Sequence, residues 1–198
     1  MSDVTPINPS FQLILDTAEQ LIREKGCRQT TLQDIIDRSG LSKGAIYHYV
    51  SGKDELFGMI LESKIELMNT QFIKAVSQAA AREAEGPIRF ATQSMSNQSE
   101  DQVVSNAIFI YLLAQIDNPK VAAVMQKLYR YAVQTATKWI QTGQHAGAIP
   151  QSIDAEKMAA MFMVFTYGLR VQNMIESDSP DRIGMNDIFN VVFRSLQS

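Results

Sequence analysis

The stretch TLQDIIDRSGLSKGAIYHYVSGKDEL, residues 31–56, decides the fold. Thr31 is a favourable N-cap for a short helix, and Gly40 stands where that helix needs a left-handed residue in order to end. Ser42 then caps a third helix, predicted over about residues 43–50. Two short helices around a tight turn that contains glycine are the arrangement of a helix-turn-helix, so the sequence predicts that motif here.

The third predicted helix has a distinctive outer face. Lys43, Gly44, Tyr47 and His48 point away from its apolar side, and residues 38–53 carry three basic residues and no acid. Lysine can neutralise a phosphate, tyrosine and histidine can hydrogen-bond one, and glycine lets a backbone approach closely. A polar face this short, on a rigid three-helix core, suits the major groove of DNA.

The segments on either side of this stretch also have helical periodicity. A first helix is predicted from near Pro9 to Gly26, and a fourth, capped by Ser51, to about residue 82. Further helices are predicted near 87–96, 103–116, 119–145, 154–176 and 184–197. Because strand alternation and hairpin signals are absent, we expect an all-α fold. We expect a helix-turn-helix domain at 1–54, joined by the long fourth helix to a helical domain at 55–198.

The stretch resembles the DNA-binding signature of the TetR family of bacterial regulators. The matching residues are the Thr31 cap, Ile35, Gly40, the run LSKGAIYHYV at 41–50, Lys53 and Leu56. The resemblance covers about residues 10–60, and beyond them only the length and the helix content agree. Family members often have alanine where Ile36 and Ser39 stand, and phenylalanine where Val50 stands. These departures change the size of core residues and leave the outer face intact.

The resemblance implies a role for each matching polar position. Thr31 would donate to a phosphate, Gln33 would reach a base or the backbone, and Tyr47 and His48 would bind phosphates. Lys53, at the start of the fourth helix, would clamp a phosphate. The implied DNA-binding set is Thr31, Gln33, Ser42, Lys43, Gly44, Ala45, Tyr47, His48 and Lys53. Most such contacts position a protein on DNA and few specify a sequence.

A dimer interface is predicted from the apolar segment at 158–169 and the last helix. A helix that is apolar nearly all round must be covered on several sides. The resemblance implies that the last two helices of two subunits form a four-helix bundle; a buried core helix in a monomer is the alternative. The predicted interface residues are Met158, Phe162, Phe165, Leu169, Ile188, Phe189, Val192 and Phe193.

The resemblance to the family leads us to expect an effector pocket. Methionine and aromatic side chains suit a pocket for a small, hydrophobic ligand, but they suit a plain core equally well. The candidate lining residues are Met95, Phe109, Met125, Tyr129, Trp139, Met161, Phe162 and Phe165.

Composition and motif content argue against a disulfide-rich, metal-binding, enzymatic, secreted or membrane protein. The net charge of -3 over 198 residues is that of an ordinary globular chain, and the single cysteine, Cys27, forms no internal disulfide. We predict no metal site, cofactor or enzymatic activity, since no metal-binding cluster or catalytic constellation stands out. The N-terminus does not resemble a signal peptide, and the longest apolar stretch is shorter than the roughly 20 residues of a membrane helix. We therefore expect a cytoplasmic protein without membrane contact.

The sequence as a whole predicts a homodimeric transcriptional regulator, most simply a repressor. A small hydrophobic effector would release it from a palindromic double-stranded operator. The alternative is a helical ligand-binding or protein-interaction module without specific DNA binding.

Overall fold

The structure, a computed structural model, describes residues 8–78, 100–147, 149–175, 183–184, 187–188 and 191. Over these residues the regular elements are helices, as the sequence predicts, and no strand occurs among them. The helices are α1 (Pro9–Gln29), α2 (Leu32–Ser39), α3 (Lys43–Tyr49), α4 (Lys53–Gln78), α5 (Glu100–Leu113), α6 (Pro119–His145) and α7 (Ala155–Ile175). The helix predicted at 87–96, and all but a few residues of the one predicted at 184–197, lie outside the described residues.

Helix α1 begins and ends for local reasons. Asn8 is its N-cap and accepts a hydrogen bond from the Ser10 amide at 2.9 Å, and Pro9 occupies the first turn, where no amide donor is needed. Gly26, predicted to stop the helix, has a φ of 78° and interrupts it, but a further helical turn follows as far as Gln29. The glycine therefore kinks the chain near its predicted end and does not terminate it.

Helices α2 and α3 form the predicted helix-turn-helix. The Thr31 hydroxyl accepts from the Asp34 amide, and the Asp34 carboxylate accepts in return from the Thr31 amide at 2.8 Å, which completes a capping box. Gly40 ends α2 in the left-handed region with a φ of 70°. The Ser42 hydroxyl then caps α3 by accepting from the Ala45 amide at 3.2 Å.

The start of α4 differs in detail from the prediction. The Ser51 amide and hydroxyl both donate to the Glu55 carboxylate, each at 2.7 Å, so the serine donates to this side chain and does not accept from an amide. The first helical carbonyl is that of Gly52, which accepts from the Leu56 amide. Glu55 lies in the first turn, where the helix dipole favours a negative charge.

The chain divides into two compact units, one formed by residues 1–61 and 99–126, the other by residues 62–98 and 127–198. In the first unit, α2 and α5 both pack against α1. Its fully buried side chains include Ile14, Ile35, Ile46, Leu56, Phe57, Ile60, Ile108 and Leu112. The helix-turn-helix therefore shares its core with α5. The predicted functional boundary at residue 54 stays a prediction.

Close approach of α6 to α4 within the first unit depends on Gly58. A Cβ atom there would lie 2.4 Å from a methyl group of Val124. In the second unit, Leu169 and Ile188 form a small buried cluster with Phe162 packed against it. Trp139 of α6 stacks on Phe72 of α4 with ring centroids 4.9 Å apart.

Candidate nucleic-acid interface

The face of α3 that the sequence singled out is open to solvent. Ser42, Lys43, Gly44, Tyr47 and His48 are all exposed. On the other side of the same short helix, Ile46 and the Val50 that follows it are buried in the core of the first unit, and Ala45 and Tyr49 are half-buried. The predicted inner and outer faces of the helix are therefore confirmed.

Aromatic contacts hold the exposed side chains of α3 in place. The Lys43 ammonium lies 5.6 Å from the centroid of the Tyr47 ring, which is one turn further along the helix. The His48 ring meets Tyr49 edge-on at 5.3 Å, and Tyr49 in turn contacts Phe11 of α1 at 5.1 Å. His48 is thus linked to α1 through Tyr49, and Lys43 and Tyr47 contact each other on the exposed face.

Gly44 leaves a gap in this surface that the chain itself does not need. A Cβ atom at this position would meet only the Ser42 hydroxyl oxygen, at 4.0 Å. Gly44 also has no left-handed φ to accommodate. Since neither internal contact nor backbone strain requires a glycine, the bare backbone is available for close approach by a partner molecule.

The polar side chains at the start of α2 already have hydrogen-bond partners within the protein. The Thr31 hydroxyl donates to the Asp34 carboxylate at 2.6 Å, and Lys25 forms an ion pair with that carboxylate at 2.8 Å. The lysine, followed by hydrogen bonds from Thr31, holds the pKa of Asp34 well below its usual value of 3.8. Thr31 must therefore release Asp34 before its proton can reach a phosphate.

Gln33, the other predicted contact on α2, is exposed, and its amide donates to Asp37 at 2.7 Å. Arg38, at the end of the same helix, donates to both carboxylate oxygens of Glu24 at 2.6 Å. This pair ties α2 to α1. Arg38 therefore has a structural partner within the domain.

The turn between α2 and α3 uses one of the departures from the family pattern. The Ser39 hydroxyl donates to the Ile36 carbonyl at 3.4 Å and accepts from the Leu41 amide at 3.3 Å. Alanine, which is frequent at this position in relatives, could make neither bond. The serine therefore stabilises the turn that sets the angle between the two helices.

Lys53 makes hydrogen bonds that the sequence did not predict. Its ammonium donates to the carbonyl oxygens of Cys27, Arg28 and Thr30 at 3.2, 3.3 and 3.1 Å. The family resemblance implied a phosphate contact for Lys53, and the sequence did not reveal these three carbonyl partners. Tyr111 of α5, also missed, donates its hydroxyl to Asp54 at 3.1 Å. No local signal identifies either contact, because the partners lie 23 to 57 residues away along the chain.

The predicted effector residues are distributed over both units. Phe109 and Met125 are buried in the first unit. In the second unit Trp139 and Phe162 are half-buried, whereas Tyr129, Met161 and Phe165 are exposed. Met95 lies outside the described residues. The effector pocket stays a prediction.

The residues predicted for the dimer interface differ in burial, and some lie outside the described part of the chain. Leu169 and Ile188 are buried within the subunit, Met158 and Phe162 are half-buried, and Phe165 is exposed. Phe189, Val192 and Phe193 lie outside the described residues. The exposed apolar stripe of α7 is instead made by Met161, Val164, Phe165, Val171, Met174 and Ile175.

Other kinds of site find no support in the described residues. They contain no group of three or more histidine, cysteine, aspartate or glutamate side chains that could hold a metal ion. None of the helices in these ranges has the length and apolar character needed to cross a membrane. Burial raises the pKa of the Cys27 thiol to about 11, so this thiol is not poised as a nucleophile.

Comparison with known proteins agrees with this geometry. Residues 14–60 match the family described as bacterial regulatory proteins, tetR family. The chain is 23% identical over 166 residues to the HTH-type transcriptional regulator YfiR of Bacillus subtilis (strain 168), covering 83% of this chain and 80% of YfiR.

Solved structures share the fold over nearly the whole chain. Salmonella enterica GusR aligns with a TM-score of 0.67 at 20% identity and 100% coverage of both chains. The SmeT–triclosan complex aligns with a TM-score of 0.64 at 19% identity, covering 96% of this chain and 91% of SmeT. A further structure describes SmeT as the repressor of a Stenotrophomonas maltophilia multidrug efflux pump.

The fold and the exposed face of α3 thus define a helix-turn-helix, DNA-binding transcriptional regulator. The family match favours this class over a helical module that does not read DNA. The match to the tetR family of bacterial regulatory proteins covers residues 14–60, the segment that contains the helix-turn-helix.

Proposed function

We propose that this regulator acts as a repressor that reads its operator with the exposed face of α3. The surface formed by Ser42, Lys43, Gly44, Tyr47 and His48 carries the proposal. It is exposed, contains no acid and stands on a buried core, which is the form a recognition helix needs in order to enter a major groove.

Within that surface the side chains divide by chemistry. Lys43, with Tyr47 and His48 beyond it, supplies donors for phosphate oxygens. Ser42 and Gly44 meet base edges where the backbone comes closest, and half-buried Ala45 offers a methyl group to a thymine. Thr31 and Gln33 at the start of α2 are the second group of contacts. They bind the backbone only after exchanging Asp34 and Asp37 for phosphate oxygens.

Selection of preferred sequences from random duplex DNA tests the proposal directly. We expect enrichment of a palindrome whose half-sites lie about 34–36 Å apart, or a multiple of that, because a two-fold dimer presents two copies of α3. The enriched duplex should bind more tightly than a scrambled one, with an affinity that falls steeply as salt rises. No enrichment, together with salt-independent binding, would contradict the proposal.

We propose homodimerisation through α7. Its exposed apolar residues Met161, Val164, Phe165 and Ile175 recur at helical spacing, and Gly168 on the same stripe is exposed, with nothing within 4 Å of a Cβ atom there. A run of apolar side chains on one helix face marks a protein interaction surface. Small residues on such a stripe let two helices approach closely. Ile183 and Val191, towards the end of the chain, are also exposed, and the predicted last helix would complete the bundle.

The proposed effector is a small hydrophobic molecule, as the SmeT–triclosan complex suggests by similarity of fold. Trp139 makes this testable, because it is the single tryptophan of the chain and lies in the second unit against Phe72. Its indole donates to Asn69 of α4 at 3.0 Å. A ligand that disturbs this contact should change the fluorescence of Trp139.

Reciprocity separates an effector from an incidental ligand. A true effector weakens operator affinity, and the operator then weakens effector affinity by the same factor, typically about 5- to 150-fold. Helix α4 is shared by both units and is the proposed route of the coupling. A compound that alters Trp139 fluorescence without changing operator affinity fails this test. We assign no catalytic step to the chain and place its action in the cytoplasm, with the DNA it binds.

Repression itself is tested with a reporter gene placed behind the selected operator. Expression should fall when the regulator is present and return when the effector is added. A variant with Lys43→Ala, which leaves the core untouched, should repress less. Expression that rises with the unliganded regulator would identify an activator instead.

A further inference from the structure

The Lys53 ammonium is fully occupied within its own domain. An ammonium has three N–H donors, and this one has three backbone acceptors, the carbonyls of Cys27, Arg28 and Thr30, at 3.1 to 3.3 Å. For the ammonium to clamp a phosphate, at least one of these hydrogen bonds must break. The contacts within the protein therefore compete with the role that the family resemblance implies.

The three carbonyls need a donor for a reason that lies in α1. The last carbonyls of a helix have no intrahelical partner, and they form the negative end of the helix dipole. In α1 the kink at Gly26 leaves one short turn before Thr30, whose side chain is completely buried. The bonds to the Cys27 and Thr30 carbonyls are partly buried, so a cation from α4 is an effective substitute there for water.

The position of these carbonyls matters for DNA binding. Thr30 is followed directly by Thr31, the N-cap of α2 and a proposed phosphate contact. The Thr30 amide and hydroxyl both bond back to the Gly26 carbonyl, at 3.2 and 2.9 Å, which makes the junction a compact turn. Lys53 therefore fixes the point from which α2 starts.

A second layer holds Lys53. The centroid of the Tyr111 ring lies 5.1 Å from the ammonium, and that of Phe57 lies at 6.0 Å. The two rings meet edge-on at 5.5 Å, and the Tyr111 hydroxyl donates to the carboxylate of the adjacent Asp54 at 3.1 Å. Helix α5 thereby holds the first turn of α4 through one side chain.

We propose that Lys53 is a positioning residue and not a phosphate ligand. Lys53 fixes the position of the α1–α2 junction, and Tyr111 of α5, outside the helix-turn-helix, holds Lys53 in place. This inference rests on the proposed DNA binding. It adds a residue of α5 to the group that determines operator affinity, although that residue is not among the proposed DNA contacts.

The slope of log Kd against log salt separates the two roles of a lysine. Loss of a phosphate contact makes the slope shallower by about 0.9 per subunit, and therefore by about 1.8 for a dimer. Loss of a positioning contact weakens binding at every salt concentration and leaves the slope unchanged. We would measure the selected duplex with the wild-type chain, Lys53→Met and, as a matched control, Lys43→Met. Each variant is measured at a temperature where circular dichroism shows it fully folded.

We expect Lys53→Met to bind about tenfold more weakly with the wild-type slope, since it loses hydrogen bonds made by a charged group. Lys43→Met should show the shallower slope. Lys53→Arg should recover much of the affinity, because a guanidinium can also donate to several carbonyls. If the slope of Lys53→Met falls by the same amount as that of Lys43→Met, Lys53 is a phosphate ligand and the proposal is wrong.

Variants of Tyr111 keep the proposal testable if Lys53→Met does not fold. Tyr111→Phe keeps the ring and loses the bond to Asp54, and it should weaken operator binding about threefold at an unchanged slope. Unchanged affinity in Tyr111→Phe and also in Tyr111→Leu would remove α5 from the mechanism.

Hydrogen exchange provides a readout that does not depend on DNA. Amides in the first turn of α2 should exchange faster in Lys53→Met and Tyr111→Leu than in the wild-type chain, and those of α3 should not change. Absence of salt-dependent DNA binding by the wild-type chain would defeat the proposed function alone. Unchanged exchange at the junction would defeat the positioning role alone.

Discussion

The ammonium of Lys43 lies 5.6 Å from the centroid of the Tyr47 ring, so the first and last turns of α3 present their basic and aromatic groups together. Lysine has considerable rotamer freedom, and a contact with an exposed ring restricts it before DNA arrives. The two side chains therefore form one preorganised surface, which we propose contacts DNA.

This arrangement predicts that Lys43 and Tyr47 are coupled in operator binding. Lys43→Met should weaken binding and make the salt slope of the dimer shallower by about 1.8, because one phosphate contact, worth about 0.9, is lost in each of the two subunits. Tyr47→Leu should weaken binding by a smaller factor. The double variant should then lose less than the sum of the two single losses in free energy. A double-mutant cycle on the selected duplex measures this coupling, and strict additivity would mean that the ring does not orient the lysine.

A second prediction concerns the capping box at the start of α2. The pKa of Asp34 is lowered in the folded chain, first by Lys25 and then by Thr31. A group with a lowered pKa contributes stability above its unfolded pKa, and this contribution is lost as pH falls towards the folded pKa. Asp34→Asn should therefore lower the melting temperature at pH 7.

The difference in melting temperature between the wild-type chain and Asp34→Asn should shrink as pH falls below 3.8, the ordinary pKa of aspartate. Asp37→Asn is the matched control, because Asp37 accepts only a single exposed amide bond from Gln33 in the same helix. An equal loss of stability for both variants at pH 7 would argue against a special role for Asp34.

The capping residues show how much of this fold is encoded locally. Thr31, Gly40 and Ser42 act where the sequence placed them, because each satisfies backbone groups within three or four residues of itself. The predicted end of α1 at Gly26 is a kink instead, because the helix resumes after it. Ser51 was the exception, since the longer side chain of Glu55 reaches back to it and takes both of its donors.

The candidate site was less predictable from the sequence than the helix caps, because the contacts of Lys53 and of Tyr111 join residues far apart in the chain. The exposed face of α3 follows from helical periodicity alone, and that prediction is confirmed. The partners of Lys53 could not be foreseen, since the Cys27 carbonyl comes within reach only when α1 and α4 are assembled. Tyr111 stands in an apolar segment without any pattern that relates it to Asp54.

A third prediction concerns the thiol of Cys27. This side chain is buried, and burial raises its pKa to about 11, so little thiolate forms near neutral pH. The folded chain should therefore react with a disulfide reagent at pH 8 far more slowly than the chain unfolded in guanidinium. Lys53 partly offsets the effect of burial on the thiol pKa, so loss of its charge in Lys53→Met cannot by itself accelerate the reaction. A faster reaction of that variant would report the looser α1–α2 junction that the positioning role of Lys53 implies. Rapid modification of the folded wild-type chain would show that the α1–α2 junction opens.

A fourth prediction tests the face of α7. Val164 is 66% exposed on the apolar stripe, although valine is usually buried, and in the proposed dimer the partner subunit covers it. Val164→Lys places a charge in the proposed interface and should convert the dimer to a monomer in analytical ultracentrifugation. Because the subunit core is untouched, far-UV circular dichroism should still show a helical chain. Operator affinity should fall strongly, since two half-sites can no longer be bound at once.

Gln134→Lys serves as the control for this experiment, because it adds the same charge at an exposed position on α6. It should leave both the oligomeric state and operator affinity unchanged. Should Val164→Lys remain dimeric while Gln134→Lys dissociates, the subunits would meet through α6, and the stripe on α7 would have to be covered by something other than a second copy of the chain.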